Sequence, residues 1–283
     1  MVLVALSAAL FASLFLLFKV FDQRNVPLFP AIVVNYITAC LVGVLFSRPW
    51  TAGDLSILHV PAFVQGALFI GVFLIMGRSA QQVGVAITTV ASKMSLVLTV
   101  LATVLFFQER PGALGWAGIA LALVGVAMAS WTRDGGAKKG WWMPAIIFFG
   151  SAMADILIDV VQRTRLTPTT EPVYPTLVFG ASACIGLCIL LAGRQRSALL
   201  LPRVLIGGAV LGLVNYGSIY FMVRALTSSG MRSSQVFPLM NIGAILFGTL
   251  ASMLLFRERP DPWQRAGIAT CVIALVLLLS DNA

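Results

Sequence analysis

The sequence predicts an all-α membrane protein, ten transmembrane helices built as two five-helix repeats of inverted topology. Three observations predict it. The chain of 283 residues is 59% hydrophobic and 10% charged, with a mean hydropathy of +0.98. A soluble domain carries about 25% charged residues, so lipid is the solvent for most of these side chains. Apolar runs of about 20 residues, each long enough to span a bilayer, recur along the whole chain. Finally, one motif is written twice. FFQERPGALGWAGIALALVG (Phe106 to Gly125) and LFRERPDPWQRAGIATCVIA (Leu255 to Ala274) share Glu-Arg-Pro and, at the same offset, Ala-Gly-Ile-Ala. Their glutamates, Glu109 and Glu258, lie 149 positions apart.

The spans are bounded by charges and by Pro/Gly clusters. The first, 2–21, begins without a basic n-region or a small-residue cleavage site, and reads as a span rather than a signal peptide. The second is 29–47, closed by Arg48-Pro49, and the third is 59–78. The fourth, 84–107, ends at Glu109-Arg110-Pro111, and the fifth is 113–131. GGAKK at 135–139 is the most linker-like stretch. Beyond it come 141–162, 173–192, 203–224, 232–256 (closed by Glu258-Arg259-Pro260) and 263–280. The first repeat is thus 1–134, the linker 135–140 and the second repeat 141–283. Five spans per half, an odd number, insert the second half upside down relative to the first, an architecture common among transporters. The two prolines sit where the next helix begins and needs no amide hydrogen.

Lys and Arg in the connecting loops orient the chain. Twelve lie on the side reached after spans one, three, five, seven and nine, six on the other side, and Lys93 is mid-span. The count places both termini outside the cytoplasm.

The formal net charge of +9 is scattered between apolar runs. It does not form the basic face of a nucleic-acid binder. Cys40, Cys184, Cys188 and Cys271 sit within apolar runs and show no metal-ligand spacing with His59, the one histidine. They read as small hydrophobes, and no cofactor or metal is implied.

An ionisable residue inside a span costs about 2.5–3.5 kcal/mol on the insertion scale, and its default reading is functional. Lys93, near the middle of span four, would anchor a carboxylate or phosphate of a substrate; the alternative is a structural ion pair with an aspartate. Asp155 and Asp159, at i and i+4 on span six, share a helix face. Asp155 is a candidate for proton coupling, or the neutraliser of Lys93. Asp159 reads as a partner of Arg163. The uncharged polar residues of the spans are Asn35, Tyr36, Gln65, Thr88, Thr89, Ser92, Ser95, Asn215, Tyr216, Gln235 and Asn241. The pair Asn-Tyr occurs at 35–36 and again at 215–216. Buried amides need partners, which here are either other helices or a substrate. We take Lys93, Asn35, Tyr36, Gln65, Ser92, Asn215, Tyr216 and Asn241 as candidate substrate-binding residues. Gly208 and Gly212 have the small-xxx-small spacing that permits close helix contact. Pro238 lies inside span nine, where it frees a backbone carbonyl, and is a candidate gating hinge.

The five-plus-five pattern, the two Glu-Arg-Pro endings and the stretch VGVAITTVASKMSLVLTVLATVLFFQERP (83–111) resemble the drug/metabolite transporter superfamily, in its ten-span EamA-type branch. The resemblance covers the whole chain. AIVVNYITACLVG (31–43) is similar to one bacterial subgroup. Many members carry a Trp-Gly pair in the first span, where this sequence has FASLFLLFK. The resemblance implies a central cavity enclosed by spans one to four and six to nine, with spans five and ten peripheral. It also implies a monomer or homodimer in a bacterial cytoplasmic membrane, with both termini in the cytoplasm, opposite to the charge count.

The function expected is a secondary active or facilitative transporter. It would move a small polar or anionic metabolite by alternating access through a cavity between the repeats. The alternative is an exporter of amino acids or amphiphilic drugs coupled to protons through Asp155. A passive channel is disfavoured, since no ring of like charges is present. No Walker A sequence is present to couple ATP. An enzyme is not expected: the two aspartates share one helix, and neither HExxH nor GxSxG occurs.

Overall fold

The computed structural model describes residues 2–107, 112–130, 140–193, 195–228 and 233–281. Glu109, Arg110, Pro111 and the stretch 135–139 lie outside the described residues. Eleven α-helices occur among the described residues, and no strand. They are α1 (Val2–Gln23), α2 (Leu28–Ser47), α3 (Ser56–Gln82), α4 (Val85–Lys93), α5 (Leu96–Phe107), α6 (Ala113–Ser130), α7 (Met143–Arg165), α8 (Tyr174–Ala192), α9 (Pro202–Ser228), α10 (Ser233–Phe256) and α11 (Pro262–Asp281).

Seven of them contain a stretch long and apolar enough to cross a membrane: α1, α2, α3, α7, α8, α9 and α10. Three shorter apolar stretches, Val85–Thr99, Ala113–Ala129 and Pro262–Leu277, fall in the remaining expected spans. The chain is therefore a multi-pass helical membrane protein. The helix ends follow the sequence punctuation. Arg48 closes α2 in a left-handed conformation (φ 46°), with its N–H on the Val44 carbonyl. Asp54 sits two residues before α3, where its carboxylate accepts both the N–H and the hydroxyl of Ser56 at 2.9 Å. Those bonds hold the Asp54 carboxyl below the usual range.

One expected span differs. Residues 84–107 form two helices, α4 and α5, separated at Met94 and Ser95.

By contacts the chain forms two compact units. One comprises Met1–Lys19, Met76–Ala152 and Gly217–Ala283. Its strongest helix pair is α6 with α11, followed by α4 with α10. Its core gathers Val90, Met94, Val97, Ile119, Ala122, Ile245, Ile268, Cys271 and Leu275. Gly267, from the repeated Ala-Gly-Ile-Ala, lies against the backbone of α6. A Cβ there would meet the Ala129 amide and stand 2.8 Å from the Gly125 carbonyl oxygen. Lipid tails are as apolar as the helices, so such backbone approach supplies much of the packing energy.

The second unit comprises Val20–Ile75 and Met153–Tyr216. Its strongest pair is α2 with α8. Leu58, Ala62, Val161, Tyr174 and Val178 form a buried cluster. Gly208 and Gly212 bring α9 against α2. A Cβ on Gly208 would lie 2.7 Å from the Ala31 carbonyl oxygen, and one on Gly212 2.6 Å from that of Asn35. The close approach expected from their spacing is present.

Candidate functional site

The site builds from the break in the fourth span. At the end of α4, Met94 still donates to the Val90 carbonyl at 2.9 Å, the normal i−4 bond. The next turn changes pattern. Val97 donates to Met94 at 3.0 Å and Leu98 to Ser95 at 2.9 Å, both the tighter i−3 bond. The Ser95 hydroxyl donates to the Ser92 carbonyl at 2.7 Å, a local bond that competes with helix continuation. Val97 has thereby left the carbonyl of Lys93. The Asn241 amide of α10 takes it up, Nδ2 donating at 3.4 Å. Irregular backbone at membrane depth is tolerated only inside protein or beside a water-filled cavity. Ser92, Met94 and Ser95 are all buried.

The Lys93 side chain lies over the ring of Phe11 on α1, with Nζ 3.2 Å from the centroid. A cation there is attracted to the negative face of the ring. Phe11 in turn packs edge-on to Phe15 (5.6 Å), and Phe15 to Phe18 (6.5 Å), down α1. Ser92, Lys93 and Asn241 thus come together in one unit. Ser92 and Asn241 are themselves 149 positions apart, the separation of the two Glu-Arg-Pro motifs.

The other candidates belong to the second unit. Asn215 donates from Nδ2 to Oδ1 of Asn35 at 3.2 Å. Asn35 is fully buried and its Nδ2 has no partner among the described residues. Gln65, also fully buried, donates to the Ala154 carbonyl at 3.2 Å, and its Oε1 has no partner among the described residues. The rings of Tyr36 and Tyr216 pack against aromatics: Tyr36 against Phe73 and Phe179 (5.6 and 6.1 Å), Tyr216 stacked on Phe46 (6.0 Å). Asp155 is exposed on α7. One turn on, Asp159 pairs with Arg163 at 3.0 Å, as its spacing suggests. Pro238 and Gln235 lie within α10 and are described by backbone alone. The predicted residues therefore divide between the two units rather than sharing one.

Sequence reasoning overlooked a third group, in the first unit. Glu258 accepts the Val85 N–H with both carboxylate oxygens, at 3.0 and 3.2 Å. That N–H is one of those left without an intrahelical partner at the start of α4. Lys19, near the end of α1, stands 3.8 Å from Glu258 and donates to the Gln81 carbonyl at 3.0 Å. Gln81, near the end of α3, donates back to the Phe18 carbonyl at 3.0 Å. Gly84 has φ +128°, a conformation suited to glycine. The repeated motif was the signal for Glu258, but the motif reads as a helix end and names no partner.

The second unit also holds an open, mainly apolar cleft of about 330 Å³, bordered by Cys40, Val44, His59, Phe63, Thr176 and Leu177. Among the described residues no group of three or more His, Cys, Asp or Glu side chains could hold a metal ion.

No family model matches the chain. An uncharacterized protein of Haemophilus influenzae is 29% identical over 273 residues, spanning 93% of this chain and 92% of that protein. The DNA translocase FtsK of Mycobacterium tuberculosis is 32% identical over 160 residues. That match covers 51% of this chain and only 17% of FtsK. One crystal structure superimposes with a TM-score of 0.62 at 18% identity, covering 97% of this chain and 94% of the other. The likeness is one of fold: this chain adopts, over nearly its full length, an arrangement of helices already seen in a solved protein.

Proposed function

We propose that the chain is a secondary transporter of the ten-span drug/metabolite kind. It carries a small polar or anionic metabolite across the bacterial cytoplasmic membrane by alternating access. The observation that carries this reading is the broken fourth span with Lys93 at its break. Interrupted helices with charged residues at membrane depth are where carriers bind substrate. Lys93 offers the one ammonium of the mid-span region, and the loosened backbone around it is buried.

The inverted repeat is supported by the helix pairing. With α4 and α5 as one span, α2 and α8 are spans two and seven, α4 and α10 spans four and nine, α6 and α11 spans five and ten. The three most strongly packed pairs each join a span to its counterpart in the other half, and the next, α10 with α11, joins consecutive spans. The ends of spans one, three and nine also meet, at Lys19, Gln81 and Glu258. That meeting suits a topology in which these ends share a membrane face. The partial match to a DNA translocase brings no such activity here, because no Walker A sequence is present.

In a second reading, Asp155, exposed on α7, couples export to protons. Ligand-dependent thermal stability separates the two. Binding to the folded protein raises apparent stability by RT ln(1 + [L]/Kd). The purified protein and Lys93→Met are screened against carboxylates, phosphate monoesters and amino acids. Stabilisation by acids that is lost in folded Lys93→Met supports the anion carrier. Stabilisation that survives Lys93→Met but is lost in Asp155→Asn supports the exporter.

A further inference from the structure

We propose that Glu258 is the bolt of a releasable latch that closes one end of the transport path. Its carboxylate ties the segment after α10 to the first turn of α4 and to Lys19 of α1. This rests on the carrier reading above.

Four helix ends meet at this point: those of α1, α3 and α10, and the start of α4. An ordinary cap for α4 would be a Ser, Thr or Asp just before it. The residue there is Gly84, and no side chain of its own segment caps the helix. The cap comes instead from Glu258, 173 residues away. The position is shaped to admit it: a Cβ on Gly84 would stand 3.3 Å from Glu258 Oε2. Lys19 completes the closure. It bonds the last turn of α3 through the Gln81 carbonyl and faces Glu258 at 3.8 Å. Gln81 returns a bond to α1 at Phe18.

The contacts have the character of something that opens. The Lys19 and Glu258 side chains are 21% and 17% exposed, so water reaches the pair and weakens it. The bonds fasten helix ends and a connecting segment, not interdigitated cores. Every partner has a solvated substitute once the segment swings away. The α6–α11 contact differs, since backbones there meet through Gly267 and Gly125 and separation would open a void.

The test reads access to α4 from each face of the membrane. Full-length protein in proteoliposomes carries Ser92→Cys, two turns below the latch, with Cys40, Cys184, Cys188 and Cys271 replaced by Ala. A membrane-impermeant maleimide is applied from one side at a time. Glu258→Ala and Lys19→Ala are expected to speed labelling at least tenfold from one face, with no change from the other. Glu258→Gln keeps an oxygen for the Val85 amide but loses the charge facing Lys19; it should fall between wild type and Glu258→Ala, and it serves if the alanine variant does not fold. Amide exchange at residues 85–88 is followed in the same samples. Faster exchange there without faster labelling would reduce Glu258 to a helix cap and overturn the proposal. So would an equal rise from both faces, which marks a loosened fold. Labelling needs no solute, so the two readings fail separately. A one-sided rise, alongside wild-type protein that binds and moves none of the screened solutes, leaves Glu258 as a one-sided closure and removes the polar- or anionic-metabolite reading. Solute counterflow with no one-sided rise leaves the carrier and removes the latch.

Discussion

Lys93 rests its ammonium on the face of Phe11, 3.2 Å from the ring centroid. A desolvated contact of this kind is worth about 2 kcal/mol. Phe11→Leu keeps an apolar, somewhat smaller side chain and removes the π face, and is expected to lower stability by about 1–2 kcal/mol. Phe11→Trp should retain it. In Lys93→Met the difference between Phe11 and Leu should shrink to the part that comes from packing on Phe15. Unfolding temperatures of the five proteins in one detergent test this, and equal losses with and without Lys93 would refute a cation–π role.

Asn241 is the side chain that meets the Lys93 carbonyl at the helix break. Asn241→Leu removes that bond, at a cost of about 0.6 kcal/mol and at most about 1.7 for a hydrogen bond between membrane helices. Hydrogen exchange should quicken over residues 92–98 and stay unchanged over 28–47 in the other unit. Uniform quickening would mean that Asn241 supports the whole fold and not the break.

Asn35 and Asn215 are coupled, and the coupling has a measurable size. Hydrogen bonds between transmembrane helices average about 0.6 kcal/mol, with a maximum of about 1.7. Asn215→Leu alone strips Asn35 of the donor to its Oδ1, so it should cost more than the net bond. Asn35→Leu/Asn215→Leu together should cost less than the sum of the singles. An additive cycle would argue that the 3.2 Å contact carries no energy.

Two glycines in helices should behave oppositely. Gly267→Leu forces a side chain into the backbone of α6, where no flexible atom can yield. Overpacking costs about 1–3 kcal/mol or more, so this variant should lose folded yield. Gly71 on α3 has nothing within 4 Å of an added Cβ. Gly71→Ala should be neutral or gain up to about 1 kcal/mol of helix propensity. Monodispersity and melting temperature distinguish the two.

Much of the helix layout was legible in the sequence. Hydropathy and punctuation set the bounds of α2, α6, α8 and α11 to within a residue or two, because lipid forbids irregular backbone between charged ends. Gly208 and Gly212 announced a close contact by spacing alone, though not that α2 would fill it. The fourth span hid its break. Ser95 bonds the Ser92 carbonyl locally, but a serine in an unbroken helix makes the same kind of bond, and Asn241 of α10, which meets the Lys93 carbonyl, is a long-range partner. The candidate site residues stand out as types, since polar groups in apolar spans are few. Their assignment to two units does not, because it rests on which helices pair. Glu258 was visible as a repeat and silent about Val85, whose amide no side-chain pattern records.

The interleaving of the two units bears on how the molecule is made. Each draws on residues from both halves of the chain, so neither is complete until the second half exists. The Val85 amide waits for a carboxylate synthesised 173 residues later, roughly 10 to 30 seconds at ordinary translation rates. During that interval α4 stands in the membrane without its cap, and α6 without the glycine face of α11. A chain cut within 135–139 should yield two fragments that are each degraded alone and recover together when co-expressed. Quality control in the cell would then act on the nascent first half as an orphan rather than as a finished domain.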